Sequence, residues 1–284
     1  MRGQPVHARA GLLQQRLDAG THHGMGHDPI VPPDLPFHGR KRCGTTRTVT
    51  SVPVVAVFTA YAELAHRVLA RPARLGRTRL VAVDGPSGAG KTAFAARLAD
   101  ALAATGAGRA PVVHTDDLLD GWDGQLTFWH RLESSVLAPV RAGQAGAYQR
   151  YSWVRQVFLP DPVPVPAAPV LIVEGVSAAR AEAAADLSLA VFVTAPQPLR
   201  LTRAVARDGP GILPELRRWH LGEQEHFRAD DTRSRADLVV DGAPTLPHDA
   251  DRYYLRMAGG DVDRRPDPAM RAAAPGKAGI RFRP

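Results

Sequence analysis

The chain has 284 residues, 44% of them hydrophobic and 23% charged, the balance of one globular domain with extensions. Its formal charge of +8 sits mostly at the ends: residues 1–50 hold seven basic and three acidic groups and residues 259–284 six and three, leaving about +1 for residues 51–258. The folded part therefore has no basic stripe for nucleic acid, and the single cysteine, Cys43, excludes a disulfide framework.

In chain order, residues 1–52 read as a basic extension. They carry His22-His23, His27, Pro32-Pro33 and Arg40-Lys41-Arg42 without sustained periodicity. The apolar stretch 51–62 is too short to span a bilayer, and no secretory signal is visible, so the expected compartment is the cytoplasm. The domain proper is expected over residues 53–258, and residues 259–284 read as a second tail. Within the domain, Tyr61, Leu64, Ala65, Val68 and Leu69 recur at helical spacing. Continuous apolar runs at 80–84, 111–114, 170–174, 189–194 and 238–240 predict five strands buried on both faces. Helices are expected near 92–104, 127–142, 178–186, 199–207 and 212–229. The proline-rich stretch 160–169 reads as an extended connector. Alternating strands and helices predict an α/β, doubly wound parallel sheet, with ligands gathering at the carboxyl ends of the strands.

The run Gly85-Pro86-Ser87-Gly88-Ala89-Gly90-Lys91-Thr92 fits the phosphate-binding pattern G-x-x-x-x-G-K-[ST], between the first of these strands and a helix. Glycines let the backbone curl so that N–H groups converge on phosphate, and the helix N-terminus adds partial positive charge. Gly85, Ser87, Gly88, Ala89, Gly90, Lys91 and Thr92 are thus the expected ATP-binding residues. Lys91 is placed to reach the β- and γ-phosphates and Thr92 to bind Mg²⁺. The chain has only three lysines, Lys41, Lys91 and Lys277, and Lys91 is the one inside the domain. A compact ammonium stands where phosphates need one, in a chain that otherwise uses arginine.

The second strand runs into His114-Thr115-Asp116-Asp117. A carboxylate just past a strand end and facing the phosphate loop can accept a proton from an attacking hydroxyl, although Asp also caps turns. Asp116 is the candidate base and a candidate metal neighbour, and Asp117 a candidate acceptor contact. The third strand stays uncharged until Glu174, which stands where phosphate-loop proteins keep a carboxylate supporting Mg²⁺. Arg200, Arg203 and Arg207 share one helix face. Phosphoryl transfer needs cations against charge spreading over the transferred group, and Arg203 and Arg207 are the candidates.

Together, the phosphate loop, Asp116, Val173-Glu174-Gly175 and the Arg-Leu-x-Arg stretch resemble the uridine kinase branch of phosphate-loop kinases, over about residues 58–242. The resemblance implies an ATP- and Mg²⁺-dependent kinase with Asp116 as catalytic base. The family holds its nucleoside with a Tyr-Asp-Phe-type stretch, which Tyr151-Ser152-Trp153 resembles. Ser152 replaces the family Asp, and Gln156 falls where a family histidine would stand. Residues 117–124 are similar to a compact bacterial subgroup described only as uridine kinase-like. Trp122, Tyr151, Trp153 and Arg155 complete the expected acceptor site, the aromatics as a sandwich for a planar base.

The leading expectation is a kinase for the hydroxyl of a small, nucleoside-like acceptor. An ATP-binding regulatory module without transfer activity, and a nucleotide kinase using Arg150 and Arg155 for an acceptor phosphate, are the alternatives. A GTPase lacks support, because the chain has no asparagine for an Asn-Lys-x-Asp loop. No nucleic-acid or membrane partner is expected.

Overall fold

Strand alternation decides how this chain folds. In β2 (Arg79–Asp84), Val81 and Val83 face one hydrophobic cluster, and Leu80 and Ala82 face another. The computed structural model describes residues 57–257. The extensions expected at 1–52 and 259–284, with Cys43 and the early histidines, lie outside the described residues.

Five strands run parallel, as expected. β2 lies between β6 (Val170–Glu174) and β7 (Leu187–Thr194), with β3 (Val112–His114) beyond β6 and β8 (Leu238–Asp241) beyond β7. Two antiparallel strands, β1 (Val57–Ala60) and β9 (Tyr253–Arg256), extend the β8 side, giving the seven-stranded order β1-β9-β8-β7-β2-β6-β3. Those two were not expected, being only four residues each.

Helices cover both faces. α1 (Tyr61–Ala70) and α2 (Lys91–Leu102) bury Leu64, Val68, Phe94 and Leu98 against Val81, Val83, Ile172 and Val191. On the other face, α3 (Trp129–Leu132) runs through a wider turn at Glu133–Leu137 into α4 (Ala138–Arg141), burying Leu132, Leu137 and Val140. Each such side chain contributes about 1.5–3 kcal/mol relative to exposure. α5 (Gln197–Asp208) and α6 (Leu213–Asp230) follow β7, with a small cluster of Ala204, Ile212 and Leu216 between them. Among the described residues, no helix is long and apolar enough to cross a membrane.

Two local expectations are corrected. Residues 178–186 form no α-helix, only a short 3-10 turn at Ala181–Ala183. Alanine propensity loses to backbone geometry: Arg180, at φ −54° and ψ 155°, leaves the helical region, and β7 begins at Leu187. Ser177 is also held at φ 69°, outside helical geometry. The supposed connector over 160–169 is largely strand: β5 (Val157–Val165) pairs antiparallel with β4 (Gly146–Ser152) as a separate hairpin. Pro162 and Pro164, in register with Gln149 and Ala147, fall on alternate residues, so their missing N–H groups share one side, the unpaired side that proline requires in an edge strand. Pro160 lies where the register shifts.

Sheet topology then fixes the site. The chain steps from β2 past β6 to β3, and later from β6 past β2 to β7. The loops after β2, β3 and β6 therefore open onto the same crevice at the carboxyl ends of the strands.

Candidate functional site

The phosphate loop leaves β2 at Asp84 and enters α2 at Lys91. Gly85, Gly88 and Gly90 have φ of 136°, 77° and 99°, backbone that glycine adopts without penalty. Gly85 has a second constraint: a Cβ there would overlap the Val193 carbonyl oxygen of β7. Ala89 N–H closes the turn onto the Pro86 carbonyl at 3.1 Å. Lys91 is buried along its stem, and its Nζ donates to the Pro86 carbonyl at 3.2 Å. Thr92, one residue into α2, is exposed and donates its hydroxyl to Glu174 Oε1 at 3.0 Å.

Glu174 thus stands directly beside the loop. Its Oε1 also lies 2.5 Å from His114 Nδ1 at the end of β3. Burial pushes the Glu174 pKa upward. Hydrogen bonding to His114, together with the charges of His114 and Lys91 and the Thr92 hydroxyl, outweighs it and holds the group below its ordinary value. For His114, burial opposes protonation, but bonding to Glu174 and the charges of Glu174, Asp117 and Asp116 raise its pKa overall.

Asp116 is the first carboxylate of the turn Thr115–Leu118 and opens to solvent at the crevice. Enclosure by surrounding protein, and then the negative charge of Glu174, raise its pKa. Lys91, Arg207 and His114 pull the other way. Asp117 points inward: its Oδ2 accepts from the Tyr148 hydroxyl at 3.1 Å, and desolvation raises its pKa against the charges of His114 and Arg150. The two adjacent carboxylates thus have different surroundings.

The three arginines of α5 also divide. Arg200 is buried and donates to the Ser87 and Ala195 carbonyls. Arg203 donates to the Gly88 carbonyl at 3.1 Å and to Gly242 at 3.2 Å, bracing the phosphate loop from behind. Arg207 pairs with Asp208 yet keeps 57% of its side chain exposed, and its charge reaches Asp116. Both arginines expected to face the transferred group are thus engaged, Arg203 by backbone oxygens and Arg207 by the Asp208 carboxylate, with Arg207 the more exposed of the two.

The aromatics expected around an acceptor do not form parallel walls. Trp122 meets Trp153 at 5.3 Å and 65°, Trp219 at 5.6 Å and 88°, and Tyr151 meets Trp153 at 5.4 Å and 84°. Edge-to-face contact is the favoured geometry when rings pack on one another, so the expected sandwich is instead a mutually packed cluster. Trp153 Nε1 donates to the Asp116 carbonyl at 3.3 Å, tying the β4–β5 hairpin to the candidate base. Arg155 sits exposed in the hairpin turn, whereas Arg150 is the arginine whose charge reaches Asp117.

Two contributors escaped the sequence reading. Asp84, fully buried, accepts from Gly85 N–H at 2.7 Å and from Ser177 and Ala179, joining the phosphate loop to the loop after Glu174. Burial raises its pKa to about 6 against those bonds and the charge of Lys91. The signal that marked Glu174, a lone carboxylate ending an apolar strand, marks Asp84 equally. Glu223 of α6 accepts from Ser87 N–H at 2.8 Å. It lies among other charged helix residues, and nothing in the sequence distinguished it.

The fold and the loop define the class: a doubly wound α/β protein with a phosphate loop at the end of its central strand. No protein-family model matches the chain, and no curated protein matches it. Among solved structures it is similar to a possible uridine kinase from Bacillus stearothermophilus, at 19% identity and a TM-score of 0.47 over 63% of this chain and 96% of that one. It is also similar to a provisionally assigned fructose transport system kinase from Silicibacter sp. TM1040, at 20% identity and a TM-score of 0.44 over 61% and 95%. The reading of the site rests on its own residues.

Proposed function

We propose that the protein is an ATP-dependent phosphotransferase acting on the hydroxyl of a small, nucleoside-like acceptor, as in uridine kinase-like enzymes. The observation that carries this reading is the convergence of Lys91, Thr92, Glu174 and Asp116 on one crevice mouth. A phosphate loop alone indicates only nucleotide binding. A solvent-open carboxylate of raised pKa opposite its lysine adds a group able to take a proton.

The residues present fit the implied nucleotide and metal. Gly85, Gly88 and Gly90, at φ of 136°, 77° and 99°, curl the backbone around Ala89 into a cradle whose N–H groups can meet phosphate. Among the described residues, no three His, Cys, Asp or Glu side chains form a self-sufficient metal cluster. A donor set of one hydroxyl and one carboxylate suits an ion completed by phosphate oxygens and water. Thr92 would hold Mg²⁺ directly, Glu174 would support it, and Asp116 is a further neighbour. Bound there, the ion would neutralise charge on the phosphates.

In the proposed reaction, Asp116 accepts the proton of the acceptor hydroxyl as its oxygen forms a bond to the γ-phosphorus. The bond from that phosphorus to the β-bridging oxygen breaks, and ADP leaves with the electron pair. Lys91 and Arg207 stabilise charge on the transferred group. Asp117, Trp122, Tyr151, Trp153 and Arg155 are the proposed acceptor contacts, with Arg150 added by its reach to Asp117.

The test is phosphoryl transfer from MgATP to a panel of nucleosides, sugars and nucleoside monophosphates, with ATP hydrolysis alone as control. Transfer to a nucleoside supports the reading; ATP binding without transfer to any acceptor overturns it. The second reading, an ATP-binding module, draws support from Arg203, whose engagement behind the loop leaves fewer cations for the reacting group.

A further inference from the structure

Ser87, the third residue of the phosphate loop, has every polar group held by two helices that follow it far along the chain. Its N–H donates to Glu223 Oε1 at 2.8 Å, and its hydroxyl donates to the same oxygen. Trp219 Nε1 donates to Ser87 Oγ at 2.9 Å and to Glu223 Oε1 at 3.0 Å. The Ser87 carbonyl accepts from Arg200 Nη1 at 3.2 Å, and that guanidinium lies 3.7 Å from Glu223 Oε2. The cluster is dry: Glu223 is 1% exposed, and Arg200 and Trp219 are each 7% exposed.

Burying a carboxylate is costly unless it is paired and hydrogen-bonded, and an apolar residue of similar size often serves stability as well or better. Packing α6 on the sheet therefore does not account for Glu223. What its charge does is organise Ser87. It gathers N–H and O–H donors onto one oxygen, while Arg200 fixes the carbonyl of the same residue. Arg200 also cancels the charge of Glu223, so the clamp adds no net negative potential against incoming phosphate. His220, one helical turn before Glu223, is buried and its Nε2 has no hydrogen-bond partner. Burial, opposed by Glu223 and assisted by Arg200, lowers its pKa, so it adds no competing charge.

We infer that Glu223 is a positioning residue for the phosphate loop, acting with Trp219 and Arg200 through Ser87 to hold the rest of the loop in a phosphate-receiving shape before nucleotide arrives. The inference rests on the nucleotide reading above. A loop ordered in advance does not lose that freedom on binding, so the clamp raises nucleotide affinity without touching nucleotide.

The experiment is MgADP binding by titration calorimetry to the full chain, with thermal melting of each variant. Glu223→Ala should weaken MgADP by about tenfold or more, the scale of losing charge-assisted hydrogen bonds that hold the loop. Trp219→Phe and Ser87→Ala should each weaken it less. Glu225→Gln, exposed on the same helix, should bind as the wild type does. In turnover, the loss should fall on KM for ATP and leave KM for the acceptor unchanged, a split that general destabilisation would not give. Wild-type MgADP affinity in a folded Glu223→Ala overturns the positioning role and leaves the nucleotide reading intact. If Glu223→Ala does not fold, unchanged affinity in both Trp219→Phe and Ser87→Ala overturns the role instead. A wild-type chain that fails to bind MgADP overturns the nucleotide reading, and the positioning role with it.

Discussion

The two sides of the crevice are built on opposite plans. The proposed donor side is eight consecutive residues, 85–92, running from the end of β2 into α2 and braced from outside by Asp84, Arg203 and the Ser87 clamp. The acceptor side gathers Asp116 and Asp117 after β3, Trp122 from the next turn, and Tyr148, Tyr151 and Trp153 from a hairpin outside the main sheet. On the donor side the tolerances are those of backbone, where one Cβ would collide. On the acceptor side they are those of side chains packed edge to face. A nucleotide's phosphates present one fixed shape, so a rigid cradle serves them; acceptors differ, and a hairpin can vary without disturbing the sheet.

The comparison can be broken most forcefully at Asp116. Asp116→Asn keeps the size but cannot take a proton, and turnover should fall by about two to four decades, with MgADP affinity little changed. Asp117→Asn, whose carboxylate is occupied by Tyr148, should cost less. Greater damage from Asp117→Asn in steady-state assays would exchange their roles. Lys91→Ala should lower transfer by about two to three decades, the scale of losing one electrostatic contact to the transition state. Near-normal turnover in that variant contradicts a donor site at the loop.

pH sharpens the same contrast. As the proposed base Asp116 must be ionised, and its pKa is raised above the ordinary aspartate value, so the rate should fall as pH drops through that elevated value. The acid limb therefore lies at higher pH than for an unperturbed aspartate, and Asp116→Asn should remove it from the residual rate. A limb unchanged in the variant assigns it to another group. The smallest effect is expected on the hairpin. Trp153→Phe removes the 3.3 Å bond to the Asp116 carbonyl and should raise KM for the acceptor several-fold, the scale of one neutral hydrogen bond of about 1 kcal/mol. MgADP affinity should stay at the wild-type value. A comparable loss on the nucleotide would show that the two sides are not separable.

How much of this was legible follows the same division. The phosphate loop and the five parallel strands could be read because their determinants are local: glycines at fixed offsets and uninterrupted apolar runs. Glu174 could be read because a charge ending such a run is conspicuous. Asp84 carried the same mark and was taken only as the end of its strand. Glu223 could not be read, since its role arises from α6 crossing Ser87, 136 residues away in sequence. The helix expected at 178–186 failed because Arg180 leaves helical backbone and the chain enters β7 at Leu187, which alanine propensity does not foretell. The arginines of α5 were correctly placed on one face, but that face proved to look toward the back of the loop as well as into the crevice.

The proline pattern of β5 has a consequence of its own. Within the described residues β5 pairs only with β4, so its other side is an exposed sheet edge of the kind that recruits strands from neighbouring molecules. Along that edge the donor row is interrupted at Pro162 and Pro164, the positions whose N–H groups would point outward, and Pro160 adds none where the register shifts. An approaching strand finds carbonyls to donate to but no N–H at the proline positions, and a broken ladder holds poorly. The hairpin carrying Tyr151 and Trp153 can therefore stand apart from the main sheet without becoming a seed for edge-to-edge aggregation.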